Sequence, residues 1–182
     1  EIGLIVTSIT DEGYLTFANV GGVDERTLPS TEVTVHGKED LWGVIGIKPN
    51  YLLEQGKTAK LKELAVDTGL SAEKVKELVA VGDSITLAQS VGRLGKKQFS
   101  GKSLDDRASV AAIIRVMKNI KDLDIDIDVY AVAAVQEEVG CRGGKTTAYG
   151  INPDMAVAID VCHGITPDNS DNAFEVGTGT VL

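Results

Sequence analysis

An apolar run that ends in two adjacent acids constrains this chain more than any other feature. The pattern of residues Val129 to Val135 predicts a buried strand, Glu137 and Glu138 follow it, and Gly140 ends it. Two carboxylates at the end of a buried strand are costly to desolvate unless a metal ion, protons or partner groups compensate for their charge. Because side chains alternate along a strand, one acid can ligate a metal while the other faces a substrate.

Further acids lie at the ends of other predicted elements. Asp105 and Asp106 open a helix-like segment, and Asp160 follows a second apolar run, Met155 to Ile159. Each alone is typical of a helix cap, a turn or a solvated strand end. Together they are expected at the C-terminal edge of neighbouring strands, where open α/β sheets place ligand sites. Carboxylates gathered there indicate a shared site for divalent metal ions.

The chain divides into two kinds of pattern. Residues 11–91 contain short runs between glycine turns, including an alternating one from Thr31 to His36, and this predicts a β-barrel or sandwich. In residues 92–182 a helical pattern, Arg107 to Met117, lies before the two apolar runs, and this order predicts an α/β sheet. Residues 1–10 are predicted to be a strand of that α/β domain, which leaves residues 11–91 as a β-rich insert.

Composition excludes several classes of partner. The net charge of -9 argues against nucleic acid and against an anionic membrane surface. The sequence has no apolar window of about 18 residues, so no transmembrane helix is expected. The two cysteines, Cys141 and Cys162, do not form a CxxC pair. A disulfide framework is therefore not expected, and a reducing cytoplasm is the simplest compartment.

Three motifs in the same order resemble the M42 family of metallo-aminopeptidases, the glutamyl or deblocking aminopeptidases, whose relatives are sometimes labelled endoglucanases. These motifs are Ser-Leu-Asp-Asp-Arg (103–107), Val-Gln-Glu-Glu-Val-Gly (135–140) and Ala-Ile-Asp-Val (158–161). The first six residues resemble the segment after that family's His-x-Asp motif. Gly21-Gly22 and residues Gly43 to Pro49 resemble its inserted dimerisation domain.

The resemblance implies a zinc-peptidase-like α/β/α catalytic core, present in part, with an inserted β-barrel-like dimerisation domain. It implies two divalent metal ions, zinc or cobalt, bridged by Asp105, with Glu138 ligating one and Asp160 the other. Glu137 would be the general base, and the peptide bond between Asp105 and Asp106 would be cis. The implied partners are peptide substrates and further copies of the chain, from a dimer to a dodecamer.

One departure from the family limits this expectation. The family's two histidine ligands would lie before residue 1 and beyond residue 182, and the only histidines present are His36 and His163. His36 is expected to be structural, and His163 does not correspond to either ligand. The chain is therefore expected to be part of a longer protein and to be inactive, or nearly so, by itself.

Two alternatives remain open at this point. A glycoside hydrolase also uses two carboxylates, but it needs them about 5 to 9.5 Å apart across the scissile bond, and Glu137 and Glu138 are side by side. The second alternative is a non-catalytic assembly module.

The residues after the acid pair are expected to have structural roles. Cys141 is expected to be a small, semi-buried residue and not a nucleophile, because no histidine is placed to activate it. Gly140, Gly143 and Gly144 are expected to allow a tight turn.

Overall fold

Six antiparallel strands close into a barrel in the first half of the chain. The computed structural model describes residues 2–47, 59–167, 169 and 174–181. The strands neighbour one another in the order β1–β2–β5–β4–β3–β6. Their bounds are β1 (Gly3–Ile9), β2 (Leu15–Val20), β3 (Glu32–His36), β4 (Asp40–Ile47), β5 (Leu64–Asp67) and β6 (Ser84–Leu87). Lys48 and Pro49, the end of one family-like segment, lie outside the described residues.

Alternation along the strands builds the barrel core. In β3, Val33 and Val35 are buried while the residues between and beside them are more exposed, which confirms the predicted half-buried strand. Every buried apolar side chain among the described residues lies between Leu4 and Ile85. The core therefore belongs to the barrel and to the elements that pack on it.

One helix closes against the barrel. Helix α1 (Ala72–Leu78) begins at Ser71, whose side chain accepts a hydrogen bond from the Lys74 backbone N–H at 3.4 Å. Val75 and Leu78 are buried on the face that meets the core. The N-cap serine thus caps this helix without the acid that a full capping box has three residues later, where this chain has Lys74. Two single-turn 3-10 helices, Glu25–Thr27 and Leu61–Glu63, complete this half.

The predicted grouping of residues 1–10 with residues 92–182 is wrong, because β1 is a barrel strand. It pairs with β2 from Gly3↔Val20 to Ile9↔Leu15, and with β6 at Leu4↔Ile85. Without β1, strands β2 and β6 would each present an unpaired edge, so closure of the barrel decides where this strand lies. The barrel thus spans residues 3–87.

The second half is built from a hairpin and two helices. The hairpin joins β7 (Gly92–Leu94) to β8 (Gln98–Ser100), and the sequence patterns did not predict it. Helix α2 (Leu104–Ile120) confirms the helix predicted around Arg107 to Met117, and α3 (Arg142–Ile151) follows it. A 3-10 helix, Glu137–Val139, precedes α3. No helix of the described residues is long and apolar enough to cross a membrane.

The two predicted buried strands of this half are wrong for the structure described. Residues 127–135 and 155–161 form no strand, and Ile127 and Val157 are 70% and 80% exposed. An apolar run becomes a buried strand only where neighbouring strands and covering helices enclose it. The described part of the chain supplies no such partners for these runs. The fold is therefore α/β with a six-stranded barrel, and the α/β/α core stays an expectation.

Candidate active site

Asp105 and Asp106 lie in the first turn of α2 and have different surroundings. The peptide bond between them is cis, as the resemblance implies, and neither residue has helical φ and ψ angles. Asp106 Oδ1 accepts a hydrogen bond from the Ser109 backbone N–H at 3.0 Å. Helix capping, the simplest explanation of this acid pair, therefore applies to Asp106. It does not account for Asp105.

Glu137 and Glu138 lie on a tight turn rather than at a strand end. We call residues Gln136 to Cys141 the Glu turn. Gln136 and Gly140 have positive φ values of 56° and 115°, and the Gly140 and Cys141 amides both donate to the Glu137 carbonyl oxygen, at 3.0 and 2.9 Å. A 3-10 helix has about three residues per turn, so successive side chains still diverge. The two carboxylates can therefore still take different roles, but because the 3-10 turn separates their side chains and not because side chains alternate along a strand.

Gly143 holds the end of the Glu turn against the preceding segment. Its N–H donates to the Val135 carbonyl oxygen at 2.9 Å, and a Cβ at this position would overlap the backbone O and N atoms of Val135. At Gly144 a Cβ would meet nothing within 4 Å. Of the glycines expected to allow the turn, Gly140 provides the positive φ and Gly143 the close approach.

The four predicted site acids form one electrostatic cluster. Partial desolvation raises the pKa of Asp105, and the negative charges of Asp160, Asp106 and Glu137 raise it further, while His163 lowers it. Asp105 is exposed as a whole residue, so this desolvation is local to its carboxyl group. Desolvation also raises the pKa of half-buried Glu138, together with the charges of Asp105, Glu137 and Asp160. The neighbouring carboxylates thus make the ionisation of Asp105 and of Glu138 less favourable.

This cluster suits divalent metal ions by charge and by donor type. Carboxylate oxygens are ligands for zinc and for harder ions, and a cation would offset the desolvation and the repulsion that raise the pKa values of Asp105 and Glu138. As the side chains stand, the described residues contain no group of three His, Cys, Asp or Glu that could hold a metal ion. Asp105, Glu137, Glu138 and Asp160 therefore lie close enough to interact electrostatically, but their side chains do not form a complete metal-coordination geometry.

Two contacts at this cluster were missed in the sequence. The thiol of Cys141 donates a hydrogen bond to Glu137 Oε1 at 3.2 Å, and because Cys141 is exposed, the expectation of a semi-buried residue is wrong. The four-residue spacing, which brings side chains together on one turn, was the available signal. The other contact comes from the barrel: a Cβ at Gly21 would lie 3.4 Å from the Glu138 Cβ. No local pattern indicates this approach.

The two histidines have different places. His36 ends β3, and its Nδ1 and Nε2 atoms lie 2.7 and 2.9 Å from Asp40 Oδ1 and Thr86 Oγ1. These bonds join β3 to both of its neighbours, β4 and β6, as a structural residue would. His163 is exposed and close enough to Asp105 to lower the pKa of that carboxyl group.

Comparison with known proteins identifies the family. The sequence model of the M42 glutamyl aminopeptidases matches residues 1–182. The chain belongs to the M42 family. It is 31% identical over 190 residues to a lysyl aminopeptidase of Pyrococcus furiosus, an alignment that covers 100% of this chain and 54% of that protein. The chain thus spans about half the length of the curated relatives it matches.

Solved structures of peptidases agree with this assignment. An aminopeptidase from the archaeon Desulfurococcus kamchatkensis superimposes with a TM-score of 0.91 at 40% identity, over 98% of this chain and 51% of that one. A TET1 peptidase from Pyrococcus horikoshii, described as assembling into a tetrahedron or a large octahedral shell, gives 0.84 at 38% identity, over 94% and 53% of the two chains.

Proposed function

We propose that this chain supplies the acidic site of a metal-dependent aminopeptidase that removes N-terminal residues from peptides. The observation that carries the proposal is the electrostatic coupling of Asp105, Glu137, Glu138 and Asp160, which come from three separate segments. Carboxylates whose pKa values are raised by desolvation and by one another's charge are candidates for a functional site. Relatives described as aminopeptidases, including the lysyl aminopeptidase, support this class of substrate.

Asp105, Glu138 and Asp160 would hold two divalent ions, zinc or cobalt, with Asp105 shared between them. When bound, such ions lower the pKa of a water molecule and polarise the scissile carbonyl group. Asp106 contributes by capping α2, which fixes the backbone that carries Asp105. The excess of acidic groups also favours the protonated N-terminal amine of a peptide.

Glu137 is assigned the role of general base. Its carboxylate is exposed on the Glu turn, and its backbone carbonyl oxygen is held by two amides. It would take a proton from the attacking water and then return it to the leaving amine. This role requires a carboxylate that is not itself a metal ligand, which is why Glu137 and Glu138 have different assignments.

The barrel is assigned to self-assembly, and the protein to the cytoplasm. Trp42 on β4 is 59% exposed, and an exposed tryptophan is a frequent anchor of protein interfaces. The Pyrococcus horikoshii TET1 peptidase is described as assembling into closed shells. Both cysteines are free and exposed, which suits a reducing compartment.

The test is hydrolysis of an aminoacyl-nitroanilide by the protein that contains this chain. Glu137→Gln is expected to lower kcat by roughly 10²–10⁴-fold, and a chelator to abolish turnover until zinc or cobalt is restored. Asp126→Asn, which changes an exposed acid outside the cluster, is the control and is expected to retain activity. Turnover that survives both the chelator and Glu137→Gln would overturn the proposal. Hydrolysis of carboxymethylcellulose instead of peptides would show that the protein is a glycosidase. If neither is hydrolysed, the non-catalytic assembly role would replace the proposed function.

A further inference from the structure

We propose that Cys141 is a positioning residue for Glu137, holding one carboxylate oxygen so that the other is presented to the reacting water. The inference rests on the proposed role of Glu137 as general base. Its own evidence is the contact between the Cys141 thiol and Glu137 Oε1 at 3.2 Å. A thiol is a weak donor, but a carboxylate is a charged acceptor, and charge strengthens the bond.

The backbone of the Glu turn sets this contact. The Cys141 amide donates to the Glu137 carbonyl oxygen at 2.9 Å, so the two residues are joined by both a main-chain and a side-chain bond. Cys141 has a φ of 54°, a left-handed conformation that most side chains rarely adopt. The residue that follows, Arg142, begins α3. The thiol is thus held near Glu137 by the same turn that shapes the site.

The electrostatics favour a donor role for the thiol over a nucleophilic one. The hydrogen bond to Glu137 and the negative charge of that carboxylate are the main causes that raise the pKa of Cys141, while Lys145 lowers it. A thiol that keeps its proton can donate to Glu137 Oε1 and is a poor nucleophile. Oε2 then remains to accept a proton. An exposed glutamate without such a bond would divide its time among several rotamers.

Thiol alkylation tests the contact without any need for activity. Iodoacetamide at mildly alkaline pH reacts with the thiolate, and Cys162, which is also free and exposed, is an internal reference in the same chain. Glu137→Gln is expected to speed alkylation of Cys141 severalfold and to leave Cys162 unchanged. Glu138→Gln, the same change one residue along, is the matched control and is expected to have a smaller effect. Equal Cys141 rates in the wild type and in Glu137→Gln would overturn the inference.

Kinetics of the protein that contains this chain test the positioning role. Cys141→Ala is expected to lower kcat severalfold at an unchanged KM, and Cys141→Ser, which keeps a donor, to recover most of the loss. Equal kcat values for the wild type and Cys141→Ala would overturn the role, and so would equal losses in the Ala and Ser variants. If the wild type hydrolyses no peptide, the proposed function fails, and the alkylation rates still decide whether the thiol contacts Glu137.

Discussion

The barrel, residues 3–87, and the site region, residues 92–167, differ in where their apolar side chains lie. The barrel holds every buried apolar side chain of the described residues. In the site region Ser109 is buried, whereas large side chains such as Tyr149 and Met155 are 91% and 85% exposed. The residues that form the hydrophobic core and the residues of the acid cluster thus lie in different parts of the chain. Substitutions in the barrel should change folding, and those in the site region should change the cluster of acids.

The largest effect is expected from a matched pair of leucine truncations. Leu15 in β2 is 0% exposed, and Leu123 after α2 is 59% exposed. Leu15→Ala removes buried methyl groups and is expected to lower the free energy of unfolding by about 2–5 kcal/mol. Leu123→Ala is expected to change it by less than ~0.5 kcal/mol. Urea denaturation followed by circular dichroism measures both, and equal losses would show that the two regions share one core.

A pair of glycines in α3 tests the Glu turn. Gly143→Ala places a Cβ against the backbone of Val135, whereas Gly144→Ala places one in open space. The strain at Gly143 is expected to cost about 1–3 kcal/mol. Both variants gain helix propensity, so the difference between them isolates the steric clash.

Because the site region has few buried side chains, the steric strain of Gly143→Ala is expected to open the Glu turn locally and not to unfold the whole chain. Hydrogen exchange at the Gly140 and Cys141 amides, which donate to Glu137, reports it directly. Unchanged exchange in Gly143→Ala would mean that the close approach to Val135 does not hold the Glu turn.

A second glycine pair tests whether the barrel supports the site. Gly21 and Gly69 have similar positive φ values, 77° and 69°, so alanine costs each about 1–2 kcal/mol of backbone strain. A Cβ meets Ile2 and Glu138 at Gly21, but nothing within 4 Å at Gly69. Because the main overlap at Gly21 is with Ile2 and the Glu138 Cβ is touched at 3.4 Å, Gly21→Ala is expected to weaken zinc binding slightly and Gly69→Ala to leave it unchanged, by calorimetric titration. Equal affinities in the two variants would show that the regions are energetically independent.

The smallest effect concerns the repulsion among the acids. The pKa of Asp105 is raised in the folded chain, so the folded state binds more protons there than the unfolded state and loses stability as pH rises through that range. In the metal-free chain, Asp105→Asn is expected to raise stability at neutral pH by a few tenths of a kcal/mol, because the group is exposed and screened. The gain should vanish at acidic pH. Urea midpoints across pH measure it, and a loss at neutral pH would contradict the repulsion.

The sequence predicted the elements whose structure depends on contacts between neighbouring residues. The alternation of β3 and the helical spacing of residues 107–117 are properties of a few neighbouring residues, and both are confirmed. The membership of β1 depends on barrel closure between distant strands, so its own sequence could not reveal it. The residues of the acid cluster were predicted from their combination at the ends of several predicted elements and from three motifs that resemble the M42 family, because each acid alone is an ordinary cap or turn residue.

The surroundings of those acids were less predictable. Glu137 lies on a 3-10 turn, and the apolar run before it has no strand partner in the described residues. The thiol contact of Cys141 depends on the left-handed backbone conformation of that residue. A cysteine does not favour this conformation, so the sequence could not predict it. The approach of Gly21 to Glu138 joins residues more than a hundred positions apart.

Metal titration of the protein that contains this chain tests the central claim most directly. Calorimetry with zinc is expected to show binding that weakens by more than the ~10–100-fold typical of groups that only support a ligand, in each of Asp105→Asn, Glu138→Gln and Asp160→Asn. Asp126→Asn, an exposed acid of the site region outside the cluster, is expected to bind as the wild type does. If all four variants bind zinc with wild-type affinity, the acids gathered here do not form the metal site.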